Sequence, residues 1–293
     1  CGCGIVVSAS HNAGAYNGIK CYGPDGCQMT DEPAAIVYQR IEEIPYFVPA
    51  AQSFDFGMAK RDVEFIAPEL WEEYYQTVLA ERVTDVPSDN LNLLYTPLCG
   101  TGNKPVRTVL GRIGVHVDVV KVQEQPDGDF KTCEYPNPET DAALNESYQI
   151  ARSTHPDLIL GTDPDCDRVA VAVPAGDGFR KLSGNELGCL LLDYILGELT
   201  AKGRLPADPV AVRSIVSSPM ADRVAAKYGV KMRSVLTGFK YIGGEILALE
   251  EKGEENRFVF GFEESCGYLK GTYARDKDAV VASMLTADLA AKL

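Results

Sequence analysis

From residue 88 onward, short apolar runs alternate with segments of helical spacing, and few folds accept that alternation. Leu91–Tyr95 is an apolar run, Lys104–Arg112 has a helical period and halts at Gly114, and Val115–Val122 is again strand-like. This is a βαβ unit, whose parallel strands require a crossover helix covering one sheet face. Ala142–Ser153 adds a helix, Asp157–Leu160 and Val169–Val173 add strands, and Asn185–Leu199 closes the block as a helix. A third block starts at Pro209: strand Val210–Val216, helix Pro219–Tyr228 stopped by Gly229, strand Val230–Leu236, helix Lys240–Lys252 and strand Arg257–Phe260. Asp276–Leu293 is helical to the last residue.

The first 87 residues are less regular. Gly4–Ser8 reads as a buried strand, and Gly18–Tyr22 pairs with Cys27–Met29 through a Pro24-Asp25-Gly26 turn. Thr30 is placed to cap a helix ending near Ile44, ahead of Pro45 and a proline-punctuated stretch. Pro68–Val83 spaces Trp71, Tyr74, Tyr75 and Val78 along one helical face, and Pro87-Ser88-Asp89-Asn90 has linker composition. The expected fold class is α/β: consecutive α/β/α three-layer domains with mixed, largely parallel sheets, divided at 1–87, 88–204 and 205–293. Ligands gather beyond the carboxyl ends of strands in such sheets, where Ser8–Asn12, Gly161–Arg168, Thr237–Lys240 and Gly261–Gly267 fall.

Composition removes several classes of function. A net charge of −14 and a pI near 4.7 oppose nucleic-acid or anionic-membrane partners, which require a basic face. Nine cysteines without a CxxC pair, in a chain large enough to build its own core, read as reduced thiols of a cytoplasmic protein. Cys1-Gly2-Cys3 offers a soft-metal or lipidation motif, but a chance pair outweighs it. The apolar run Leu187–Leu196 contains Asp193 and falls far short of the ~20 residues that span a bilayer. No signal peptide is visible, and a chain opening mid-strand without Met reads as lacking its natural beginning.

Chemistry concentrates in the strand-end loops. Gly161-Thr-Asp-Pro-Asp-Cys-Asp-Arg168 sets Asp163, Asp165 and Asp167 at alternate positions. Three anionic oxygens from one loop make a hard-ligand site suited to Mg²⁺. An EF-hand fails, because positions 6 and 12 from Asp163 are Arg168 and Pro174 rather than Gly and Glu. A solvated acidic turn is the bland alternative, disfavoured by mutual repulsion without a cation. Ser8-Ala-Ser-His-Asn12 offers the Ser10 hydroxyl beside His11, and Lys20 returns on the next strand as proton acceptor or phosphate counter-charge. Alone, this segment reads more readily as a surface turn. Glu263 and Ser265 stand two apart, positioned to hold vicinal sugar hydroxyls. Thr237-Gly238-Phe239-Lys240 opens a helix with a lysine suited to an oxyanion, and Arg275-Asp276-Lys277-Asp278 is mixed charge at a helix start. Gly100-Thr101-Gly102-Asn103-Lys104 lacks P-loop spacing and reads as a turn and cap lining the cleft.

Taken in order, these motifs resemble the α-D-phosphohexomutase family, which includes phosphoglucomutase and phosphomannomutase. The resemblance covers essentially the whole chain and is nearest to the long phosphoglucomutase-type members. It implies that Ser10 carries a phosphoryl group and that Asp163, Asp165 and Asp167, with a phosphoserine oxygen from Ser10, bind Mg²⁺. It further implies that Glu263 and Ser265 contact sugar hydroxyls and that Thr237, Gly238 and Lys277 lie in substrate-contact segments. His11, Lys20 and Arg168 match groups around the transferring phosphate; Lys20, with His11 nearby, is the candidate for the base that takes the hydroxyl proton. The implied reaction interconverts hexose 1-phosphate and hexose 6-phosphate through a hexose bisphosphate. A Mg²⁺ phosphatase and a non-catalytic phosphosugar-binding fragment are the alternatives. Ala13 replaces the family's usual proline after Ser-His-Asn. The family's fourth domain, with its phosphate-gripping loop, has no counterpart in the sequence, so the resemblance implies an incomplete mutase with weak or no turnover by itself.

Overall fold

A computed structural model describes residues 2–45 and 64–293. Cys1 and most of the proline-punctuated stretch after Pro45 lie outside the described residues. Strands β1 (Gly4–Val7) and β2 (Ile19–Tyr22) form an antiparallel hairpin, followed by helix α1 (Asp31–Glu42). The sequence predicts a buried β1, yet Ile5 and Val7 are each 65% exposed, because the hairpin has no sheet stacked on it among the described residues. The Cys27–Met29 strand reduces to a single bridge between Tyr22 and Gln28.

Helix α2 (Pro68–Ala80) leads into a five-stranded sheet built from β3 (Asn92–Thr96), β4 (His116–Val119), β5 (Leu158–Thr162), β6 (Val169–Ala175) and β7 (Gly178–Leu182), in spatial order β4-β3-β5-β6-β7. β3 pairs in parallel with β4 and β5, whereas β5–β6–β7 is an antiparallel meander. Helices α3 (Asn103–Arg112) and α4 (Asn145–Thr154) supply the crossovers. Side chains alternate between faces with the period of two that a strand imposes. Leu93, Tyr95, Leu158 and Leu160 enter the main core, while Leu94 and Ile159 enter a smaller one with Leu144 and Ala151. β7 carries Arg180 and Lys181 on the sheet edge, and those charges hide it from an apolar-pattern reading.

The third sheet has the order β11-β10-β8-β9, from β8 (Val210–Ser214), β9 (Lys231–Val235), β10 (Phe258–Glu263) and β11 (Gly267–Leu269). β9, β8 and β10 are parallel, and the three-residue β11, too short for a sequence signal, is antiparallel to β10. Helix α7 (Phe239–Glu250) covers one face through Phe239, Ile242, Ile246 and Leu249. Helices α5 (Gly184–Ala201) and α6 (Met220–Lys227) lie on the other.

Two helices depart from the linear blocks. α5, which the sequence places with the second block, packs on β10: Gly188 leaves no room for a side chain, since an added Cβ would meet the Phe262 ring at 2.3 Å. Helix α8 (Ala279–Lys292) runs the opposite way, packing on α3 and on β5 and β6 as well as on β11. It is buried from Ala279 through Asp288, as expected for a helix apolar on all sides. One continuous core therefore joins Val171 of the second sheet, Met284 of α8 and Phe260 of the third. Asp288, fully buried on α8, is paired with Arg82 at 2.7 Å and accepts from Ser88 at 3.1 Å. The sheets and fold class agree with expectation: mixed, largely parallel α/β layers.

Candidate active site

The carboxyl end of β5 turns sharply through Asp163–Arg168 before β6 departs. Asp163 is fully buried, and its Oδ1 accepts from the backbone N–H groups of Asp167 at 3.0 Å and Arg168 at 2.9 Å, which curls the loop around it. Gly100 packs beneath, where an added Cβ would lie 2.3 Å from Pro164 Cα, and Thr101 N–H donates to Pro164 O at 2.8 Å. The Gly100–Lys104 turn thus supports the loop from below. One oxygen from each of Asp163, Asp165 and Asp167 lies within 4.8 Å of the others.

Across the cleft, the loop after β1 presents Ser10, whose Oγ donates to Asp163 Oδ2 at 3.0 Å and lies 3.2 Å from His11 Nδ1. Burial, then Arg168, lowers the His11 pKa below 6.5, so its imidazole is neutral at pH 7. Lys20, on β2, reaches Asp167 Oδ2 at 2.9 Å and Asp165 Oδ2 at 3.4 Å. Burial opposes its charge, but Asp167 and Asp165 prevail and raise its pKa. Lys277, before α8, meets the same Asp167 oxygen at 3.1 Å and Asp276 at 3.0 Å. Gly267 allows this approach, because a Cβ there would meet Lys277 Cδ at 2.2 Å.

Two ammonium groups and the Arg168 guanidinium, 3.9 Å from Asp167 Oδ1, do not satisfy every carboxylate oxygen of the trio. Among the described residues, Asp165 Oδ1 and Asp167 Oδ1 are buried without a hydrogen-bond partner. Burial, followed by repulsion from Asp167 and Asp165, pushes the Asp163 carboxyl well above the usual carboxylate range. An all-oxygen set with unpartnered buried oxygens fits a hard divalent cation, which would satisfy them and relieve the repulsion.

The third sheet contributes by direct connection to this loop. Val169 N–H donates to Cys266 O at 3.0 Å, and Arg168 bridges Gly267, so the Gly261–Gly267 loop extends the β6 ladder. Glu263 is buried, its Oε1 accepts from Gly238 N–H at 2.6 Å, and burial raises its pKa. Ser265 is half-buried and Thr237 exposed. Arg168 Nη1 is held by Glu139 at 2.7 Å, while its Nε is buried 3.9 Å from Asp167 Oδ1, without a hydrogen-bond partner among the described residues. Lys240 pairs with Asp31 of α1 at 2.9 Å. Residue patterns alone do not mark three participants: Ser8, Glu139, and Tyr22, whose OH donates to Asp276 at 2.8 Å. Tyr22 shares a face of β2 with Lys20, two residues earlier, and that period is its only signal.

This order of loops matches known families. The models for the phosphoglucomutase/phosphomannomutase α/β/α domains I, II and III match residues 1–46, 72–176 and 183–293 in turn. The chain belongs to the phosphoglucomutase/phosphomannomutase family. Among similar members, a phosphoglucomutase of Staphylococcus epidermidis is 33% identical over 296 residues, covering 99% of this chain and 52% of that relative. One from Staphylococcus aureus is 33% identical over 282 residues, 94% of this chain and 49% of that protein. The chain thus spans about half the length of the curated relatives it matches. A Burkholderia thailandensis member of the family superposes with a TM-score of 0.73 at 16% identity, over 99% of this chain and 56% of that one. An N-acetylphosphoglucosamine mutase of Aspergillus fumigatus, solved in complex with glucose 1,6-bisphosphate, superposes with a TM-score of 0.58 at 16% identity, over 98% of this chain and 66% of that one. Among the described residues of this family member, no helix is long and apolar enough to cross a membrane.

Proposed function

We propose that this chain carries the phosphoserine half-reaction of a hexose phosphate mutase, with Ser10 as the phosphoryl carrier and Mg²⁺ held by Asp163, Asp165, Asp167 and a phosphoserine oxygen. The observation that carries the reading is the 3.0 Å contact between Ser10 Oγ and Asp163 Oδ2, across 153 residues of sequence. Ser10 is also held at φ 51°, a left-handed conformation rarely adopted by a non-glycine residue and concentrated at functional sites. The bisphosphate complex of the Aspergillus relative supports a bisphosphorylated hexose as the intermediate.

A bound Mg²⁺ would supply charge compensation for the transferring phosphoryl group. The chain's own residues do the rest. Asp163 orients the Ser10 hydroxyl through the bond between them. When Ser10 accepts a phosphoryl group from a hexose bisphosphate, the bond from phosphorus to the sugar oxygen breaks and the bond from phosphorus to Ser10 Oγ forms. The serine hydroxyl turns its single proton from Asp163 to His11 Nδ1, 3.2 Å away, and His11 passes that proton to the departing sugar oxygen. In the reverse direction, phosphoserine donates to the free hydroxyl of a hexose monophosphate. Lys20, kept as an ammonium by Asp165 and Asp167, serves as counter-charge, and this arrangement favours His11 over Lys20 as the base. Arg168, held beside Asp167 at 3.9 Å, supplies guanidinium charge that offsets the equatorial phosphoryl oxygens. Glu263, Ser265, Thr237, Gly238 and Lys277 then hold the sugar phosphate on the third-sheet side.

Incubation of the chain with glucose 1,6-bisphosphate and Mg²⁺, followed by intact-mass measurement, tests this. A stable gain of about 80 Da that maps to Ser10, is lost in Ser10→Ala and is suppressed by chelator is expected. Free phosphate release with no labelled serine would identify a phosphatase, and absence of both label and release would leave a binding fragment; either outcome refutes the reading.

A further inference from the structure

The left-handed backbone at Ser10 relaxes unless neighbouring groups hold it, and the proposed chemistry requires its Oγ to stay beside Asp163. Inside the loop, the Asn12 N–H bond to Ala9 O at 3.0 Å is an ordinary turn contact that leaves the Ser10 peptide unsecured. The Ser10 N–H is secured by Ser8, whose Oγ accepts from it at 2.9 Å. The same Oγ donates its proton to Asp165 Oδ2 at 3.0 Å, 157 residues away. Both directions are forced, since an amide N–H only donates and a carboxylate only accepts. Ser8 is itself anchored: its N–H bonds Gly18 O at 3.0 Å, closing the hairpin behind it. A side chain on Gly18 would meet Ser8 O at 2.7 Å, so that strand presses close.

We infer that Ser8 is a positioning residue for phosphoryl transfer: its hydroxyl ties the backbone of the acceptor serine to the metal-loop carboxylate Asp165 and holds the two loops in one geometry. The inference rests on the phosphoserine reading of Ser10. Alanine at this position breaks both bonds together. It frees the Ser10 peptide and leaves Asp165, whose Oδ1 already lacks a partner among the described residues, with the longer 3.4 Å contact to Lys20. Threonine retains the hydroxyl and both bonds.

Two measurements on the whole chain test this. In the first, the rate of Ser10 phosphorylation by glucose 1,6-bisphosphate with Mg²⁺ is followed by intact mass for wild type, Ser8→Ala and Ser8→Thr. The maximal rate is expected to fall about 10- to 100-fold in Ser8→Ala, the range typical of residues supporting a metal ligand, and to recover in Ser8→Thr. The half-saturating bisphosphate concentration and the thermal midpoint are expected to stay near wild type, a split that general destabilisation would not produce. In the second, without metal or sugar, amide hydrogen exchange of the peptide spanning Ser8–Asn12 is expected to quicken in Ser8→Ala and not in Ser8→Thr. Wild-type labelling kinetics in Ser8→Ala, or unchanged exchange there, overturns the inference. If wild type itself takes no label, the phosphoserine reading fails, and the exchange measurement alone decides whether Ser8 secures the loop.

Discussion

Replacing Asp163 by Asn should raise the stability of the metal-free chain while abolishing its stabilisation by Mg²⁺. The carboxamide has the same shape, and its oxygen can still accept the Asp167 and Arg168 amides that curl the loop. What changes is charge. With ligand oxygens within 4.8 Å, each neighbouring carboxylate repels Asp163 by about 3 kcal/mol at an effective dielectric near 20. Lys20 and Lys277, both bound to Asp167, offset part of that. A net gain of about 1–3 kcal/mol in chelator follows, or roughly 2–10 °C in midpoint for a chain of this size. Wild type at a Mg²⁺ concentration of about 100 Kd gains about 2.7 kcal/mol, roughly 5–10 °C, and the variant should show little of that shift. Thermal denaturation of both proteins, each with EDTA and with MgCl₂, reads all four values. A variant less stable than wild type in EDTA, or one retaining the full Mg²⁺ shift, would refute both the repulsion argument and the assignment of Asp163 as a ligand.

Two further outcomes are expected. Gly188→Ala places a methyl 2.3 Å from the buried Phe262 ring, which stacks on Phe260 and Tyr268 and cannot withdraw. Overpacking of about 1–3 kcal/mol should outweigh a helix-propensity gain of about 1 kcal/mol, and urea denaturation showing a variant as stable as wild type would contradict the packing of α5 on the third sheet. Stability without metal should also fall as pH rises above the ordinary carboxylate range of about 4. Burial raises Asp278, Asp288 and Glu263, and burial with like charge raises Asp163, so the folded state retains protons that the unfolded chain has shed, and their contribution is lost as pH climbs through the folded values. His11, lowered by burial, opposes this below pH 6.5, and Glu72 and Glu186, held at about 2 by hydrogen bonds from Arg112 and from Ser183, set the loss on the acidic side. Urea titrations giving equal or greater stability at pH 8 in EDTA would be incompatible with these shifts.

The strand-end loops are readable because short-range chemistry marks them. Alternate aspartates, a serine beside histidine after an apolar run, and glycine stops after α3 and α6 are patterns within a few residues of each other. The supporting contacts are not readable. Glu139 reaches Arg168 from a loop 29 residues earlier, and Ser8 reaches Asp165 across 157 residues. Neither serine nor glutamate carries a pattern that names its partner. β7 and β11 escape a sequence reading for local reasons, one being charged on its edge and the other only three residues long.

By itself the sequence determined the alternation of elements, the class of sheet, and the identity of the groups that gather at the strand ends, because backbone periodicity and side-chain chemistry are local properties. Only the tertiary structure decided that α5 and α8 exchange sheets to build one core, and that Ser10 meets Asp163. The first follows from burial of apolar faces between elements distant in sequence, the second from polar contacts that an exposed hairpin makes across the cleft, Ser8 with Asp165 and Lys20 with Asp167, and no local pattern specifies either partner.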